Sequence, residues 1–100
     1  MEKSSPHYDL RRIKAAVAIR GAAAFTRAAI DGGRAMGLTS DEMVSVIAGL
    51  VPRQFYKSMT TYADHRIWQD VYHAPTPVGR EAYIKLTMRG AAVVIQFKER

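Results

Sequence analysis

The chain has 100 residues, which suits one domain around one hydrophobic centre (residues 1–100, helical over about 6–50 and sheet over about 54–98) and leaves nothing for a second. With 48% hydrophobic residues and few Gly or Pro it reads as an ordered globule, and with no cysteine it excludes a disulfide-stapled fold and a thiolate metal site and points to a reducing, cytoplasmic setting. Fifteen Lys and Arg against nine Asp and Glu give a net charge of +6, a field that draws polyanions, nucleic acid ahead of membrane because no strong apolar face accompanies the charge.

Arg11, Arg12, Lys14 and Arg20 interrupt the apolar N-terminal residues, so neither a signal peptide nor a membrane span is expected. Leu10, Ile13 and Val17, spaced by three and four, predict a helix over 6–20 with Pro6 in its first turn and Ser5 as its cap. Phe25, Ala29, Gly32 and Met36 form a second stripe, weakened by the Gly32-Gly33 pair and closed by Gly37 in a left-handed conformation. The "LTSDEM" segment opens a third helix: Thr39 and Glu42 have capping-box spacing, and Met43, Ile47 and Leu50 face inward.

After Pro52 the period changes from helical to alternating. Four strands are predicted, over 54–61, 67–73, 80–88 and 91–98, with Arg89-Gly90 as a two-residue hairpin turn and "APTPVG" as a longer connection. In the last two, Ala82, Ile84, Leu86, Met88 and Ala91, Val93, Ile95, Phe97 make the apolar side. Tyr83, Lys85, Thr87, Gln96 and Lys98 are left for the other side, while the first two strands show no clear parity. The fold class is therefore α+β, N-terminal helices packed on a C-terminal antiparallel sheet with one face open to a partner.

If Lys57 and Gln69 share that open face with Tyr83, Lys85 and Lys98, the sheet presents cations for phosphate, an amide for a base edge and aromatic rings for unpaired bases, an inventory that fits RNA. The same set can cut RNA without metal. Scission by the neighbouring 2′-hydroxyl needs a base, an acid and positive charge on the equatorial oxygens, and a lysine lowered by nearby cations, a tyrosine and a second lysine can supply them.

The stretch "FYKSMTTYADHRIWQDVY", with "YIKLT" and the closing "VIQFKER", resembles the MqsR (motility quorum-sensing regulator) toxins of bacterial type II toxin–antitoxin systems. The resemblance is strongest over Gly49 to Gln69 and weakest in the alanine-rich 15–35. It implies a RelE-like fold and a ribosome-independent endoribonuclease that cuts single-stranded mRNA at GC-containing triplets such as GCU, with no cofactor. The family's functional lysine, glutamine and tyrosine match Lys57, Gln69 and Tyr83, the last across a variable loop. The implied partner is a zinc-binding, helix-turn-helix antitoxin like MqsA, the zinc being the partner's.

Other residues are assigned around that set. Lys85, Lys98 and Arg100 extend an RNA track, and His65 in the "YADHR" loop is either a proton shuttle and RNA contact or a surface histidine bonded to Asp64. Trp68 is expected in the core. Histidines at 7, 65 and 73, with no cysteine and no HxxxH pair, predict no metal site, and His7 and His73 receive no role. Three rival readings stand beside it: a non-catalytic RNA-binding module on the same basic face, a protein-inhibiting toxin like the gyrase poisons of this general fold, which would not need that polar cluster, and an interaction protein pairing through an open sheet edge.

Overall fold

The computed structural model describes residues 1–100. Helices α1 (Leu10–Arg20), α2 (Arg27–Ala35) and α3 (Ser40–Ala48) precede a run of four strands, β2 (Phe55–Thr60), β3 (Trp68–Pro75), β4 (Glu81–Arg89) and β5 (Ala92–Glu99). A fifth strand, β1 (Glu2–Lys3), opens the chain, and the sheet is antiparallel throughout in the order β1-β2-β3-β4-β5. The class is α+β as expected, but the sheet is not purely C-terminal. No helix is long and apolar enough to cross a membrane.

β1 departs from the sequence reading, and so does the start of α1. A two-residue polar strand has no alternation to detect, and residues 5 to 8, expected to begin the helix, are used otherwise: the amides of His7 and Tyr8 donate to the carboxylate of Asp70 at 2.9 to 3.0 Å. The helix therefore starts at Leu10, capped by Asp9, whose Oδ1 accepts from the Arg11 amide. Ile13 and Val17 then enter the core as the spacing requires.

The second helix starts later than its stripe, because Phe25 bridges to Ile95 and the Thr26 amide donates to the Ile95 carbonyl before Thr26 caps α2. Gly32 and Gly33 look like a weakness in sequence. In the fold they permit close approach: a Cβ at Gly32 would run into the Phe97 carbonyl, and one at Gly33 into the Met43 sulfur. The capping box of α3 forms in both directions, Thr39 amide to Glu42 and Glu42 amide to Thr39, and Met43, Ile47 and Leu50 are buried.

The apolar side of β4 and β5 lies where parity puts it. Ala82, Ile84, Leu86, Val93, Ile95 and Phe97 join Ile13, Val17, Met43 and Ile47 in one cluster of 19 buried residues. Met88 is only partly buried and Ala91 is exposed, because the hairpin turns one residue later than predicted: Arg89 pairs with Ala92, leaving Gly90, at φ 62°, and Ala91 as the turn. Trp68 stays out of the core. It stacks on His7 at 5.4 Å with the Lys3 ammonium 4.3 Å from its ring centroid, covered by the N-terminal segment rather than by the helices.

Candidate active site

The missing parity of the first two predicted strands, β2 and β3, has a physical cause. The register of β2 against β3 slips between Phe55 and Lys57, a bulge that turns both Tyr56 and Lys57 to the side away from the helices. Beyond it Ser58 faces inward, where its hydroxyl donates to Asp70 Oδ1 at 2.6 Å, and Met59 faces out. Alternation is regular on either side of the bulge and broken across it.

The ladder then writes out the open face in rows. Lys57 lies opposite Val71, Val71 opposite Lys85, and Lys85 opposite Gln96. The next row toward the β3–β4 loop joins His73, Tyr83 and Lys98; the next row the other way joins Met59 and Gln69. Lys57, Gln69 and Tyr83 therefore share one face in three successive rows, with Lys85 and Lys98 beside them. Val71 is fully buried yet outside the main core, so the larger side chains around it close over that point.

The row with Tyr83 carries an aromatic column. Tyr56 stacks on the His73 ring at 4.5 Å and 26°, His73 leans on Tyr83 at 5.4 Å, and the Lys98 ammonium sits 5.3 Å from the Tyr83 centroid. His73 Nε2 is buried without a hydrogen-bond partner. Burial holds this imidazole below its usual range, with the Arg100 charge adding to the effect and Glu81 opposing it. The sequence alone gives His73 no role, although the spacing Gln69, Val71, His73 places it on the face of Gln69 once that face is known.

The lysines are not equivalent. Lys57 donates to Glu2 Oε1 at 2.6 Å, and this bond, with the carboxylate's charge, raises its pKa above the ordinary lysine value. Lys85 is pushed the other way, first by burial and then by the Lys98 charge. The one lysine lowered by a neighbouring cation is thus Lys85, not Lys57.

Arg100 stands at the rim of the β4–β5 ladder, where its guanidinium meets Glu81 at 2.6 Å. His65 is elsewhere: it is exposed at the tip of the loop beyond the Thr60–Trp68 pair, at the end of the sheet away from the aromatic column. The Asp64–His65 bond, one of the two alternatives for His65, is absent, because Asp64 takes the Arg66 amide and guanidinium at 2.9 to 3.1 Å. No three His, Asp or Glu side chains converge as metal ligands would.

A groove of about 480 Å³ runs from this face around the β5 edge, lined by Tyr83, Lys85, Gln96 and Lys98 and then by Thr26, Ala28 and Gly32 beside α2. Its size suits a nucleotide-sized group and its polar wall is cationic. Across the face the donors are ammonium, amide, phenol and imidazole, which can hold a phosphodiester and move protons near it.

A family model described as "Motility quorum-sensing regulator, toxin of MqsA" matches residues 5–99. The mRNA interferase toxin MqsR of Escherichia coli (strain K12) is 44% identical over 100 residues, covering 100% of both chains.

Proposed function

The chain belongs to the motility quorum-sensing regulator family of toxins, and from that premise we propose that it is a cytoplasmic, ribosome-independent endoribonuclease that cuts single-stranded mRNA at GC-containing, GCU-like sites and so arrests translation. The observation that carries the reading is the convergence of Lys57, Gln69, His73, Tyr83, Lys85 and Lys98 on one uncovered sheet face, in a chain of net charge +6. The name of the Escherichia coli relative, an mRNA interferase toxin, supports the substrate. The RelE-like arrangement, the single toxin domain and an MqsA-like zinc-binding antitoxin with a helix-turn-helix domain belong to the same reading.

The proposed cleavage is an intramolecular transfer at phosphorus. The ribose 2′-oxygen loses its proton to a base and bonds to phosphorus; the bond from phosphorus to the 5′-oxygen breaks, and that oxygen takes up a proton. The products are a 2′,3′-cyclic phosphate and a 5′-hydroxyl. Lys57, kept charged by Glu2, serves as the clamp for the equatorial oxygens, while Lys85, lowered by burial and Lys98, is the better proton acceptor. Tyr83 stands in the row next to both and supplies a hydroxyl for the leaving oxygen. Gln69 and Tyr56 offer an amide and a ring to the bases. No step requires a metal.

The test is purified protein with a defined single-stranded RNA in EDTA, with cut ends mapped and Lys57→Ala run beside the parent. Cleavage at few GC-containing sites, reduced about 10²- to 10³-fold in the variant, is the expected result. Tight binding with no cut in several RNAs would instead make the face a binding module.

A further inference from the structure

Of the three lysines on the open face, Lys57 alone is paired with a carboxylate, that of Glu2. A negative charge on a face built for a polyanion opposes binding, so its placement calls for a reason. The segment that carries it is tied down at both ends. Glu2 and Lys3 lie opposite Met59 and Ser58, the Thr60 amide donates to the Met1 carbonyl at 2.9 Å, and the Asp70 carboxylate holds the amides of His7 and Tyr8. Lys3 is turned to the other side, over Trp68. The fold thus spends its shortest strand and a buried carboxylate on presenting Glu2 beside Lys57.

We propose that Glu2 is a positioning residue for RNA cleavage: its carboxylate holds the Lys57 ammonium in place on the open face while the remaining ammonium hydrogens reach the scissile phosphate. The inference rests on the reading of this face as an RNA-cutting site. An ammonium has three donors, so one can stay on Glu2 through the reaction while the others bind substrate. A lysine on a free four-carbon stem samples many rotamers; one already bonded enters the transition state in position. The half-buried side chain of Lys57, beside a Glu2 that is mostly exposed, fits a cation gripped from the solvent side.

The charged and titratable groups facing Lys57 come from every neighbouring strand. Glu2 stands on β1, Tyr56 beside it on β2, and Tyr83 and Lys85 on β4; β3 places uncharged Val71 in the same row and His73 in the next. Glu2 is the dominant one, so its charge keeps Lys57 protonated and marks it as clamp rather than base.

Glu2→Gln tests this, because it keeps the shape and one acceptor and removes the charge. The expected result is a kcat about tenfold lower, a KM for single-stranded RNA that does not rise, since a negative charge has left a polyanion site, and an alkaline limb of kcat/KM that moves to lower pH. Glu2→Asp should recover part of kcat. In parallel, the Lys57 side-chain amine is titrated by NMR in protein without RNA, and it should lose its proton at lower pH in Glu2→Gln than in the parent. An unchanged kcat, or a higher kcat with a lower KM, would overturn the proposal and leave Glu2 as an inert or obstructing ion-pair partner. If the parent protein cuts no RNA, the reading of the face fails. The Lys57 titration then decides the pairing independently, an unshifted value removing that as well.

Discussion

The two sides of β3 treat buried polar groups in opposite ways. On the helix side Asp70 is wholly buried and fully engaged, accepting from the His7 and Tyr8 amides and the Ser58 hydroxyl. Two residues along, burial and then Asp70 push the Tyr72 hydroxyl up to about 12, so it stays neutral. On the other side His73 keeps Nε2 buried with no partner, and Lys85 is held below its usual range by burial and Lys98. A buried group whose bonds are all made is structural; one left unmade costs stability and calls for a reason. One strand, read at alternate residues, thus separates polar groups whose bonds are made from those left unpaired.

Breaking the satisfied side has the larger effect on the fold. Asp70→Ala removes the acceptor from three donors, and a loss of about 3 kcal/mol in unfolding free energy is expected, measured by urea titration. The same change frees residues 2 to 8, so Lys57 loses its Glu2 contact and cleavage falls even where the protein remains folded. A loss below about 0.5 kcal/mol would mean that the carboxylate does not anchor the N-terminal segment.

His73→Phe probes the unsatisfied side while preserving the stack between Tyr56 and Tyr83. Cleavage should fall about tenfold with melting temperature unchanged or higher, if the free ring nitrogen meets substrate. The pH dependence gives the sign. His73 has a folded-state pKa below its ordinary value of 6.5, so the unfolded chain binds the proton more readily, and stability is lost as pH falls through 6.5 toward the folded value. Thermal melts between pH 7 and pH 5 should show that loss in the parent and a shallower one in the variant. Equal slopes would place the pH sensitivity elsewhere.

The smallest effect is expected at Lys98, which carries no carboxylate and stands over Tyr83. Lys98→Gln should weaken single-stranded RNA binding and reduce the slope of log K against log salt by about 0.7, the contribution of one phosphate contact. Arg100→Gln, already paired with Glu81, should change that slope less. Equal slopes for the two variants would erase the distinction between free and paired cations along the groove.

Much of the helical layer was legible because its signals are local. The Thr39–Glu42 capping box, the Met43, Ile47, Leu50 face and the alternation of β4 and β5 depend on residues within a few positions of one another. Lys57, Gln69 and Tyr83 could be named from motif resemblance, and the ladder brings them to one face. Glu2 and His73 could not be found that way. Glu2 is 55 residues from the lysine it meets, and His73 gains its setting only from strands on both sides.

Composition, charge and short-range periodicity by themselves determined the helices-then-strands order, the inner faces of α3, β4 and β5, and the basic character of the face left over. Tertiary structure alone decided that residues 2 and 3 form a strand, that Tyr56 and Lys57 turn to the same side, that Trp68 lies outside the core, and which lysine is raised and which lowered. The reason is one of range. Caps and alternation are set by neighbours along the chain, whereas bulges, buried carboxylates and pKa shifts are set by groups that only folding brings within about 3 Å of one another.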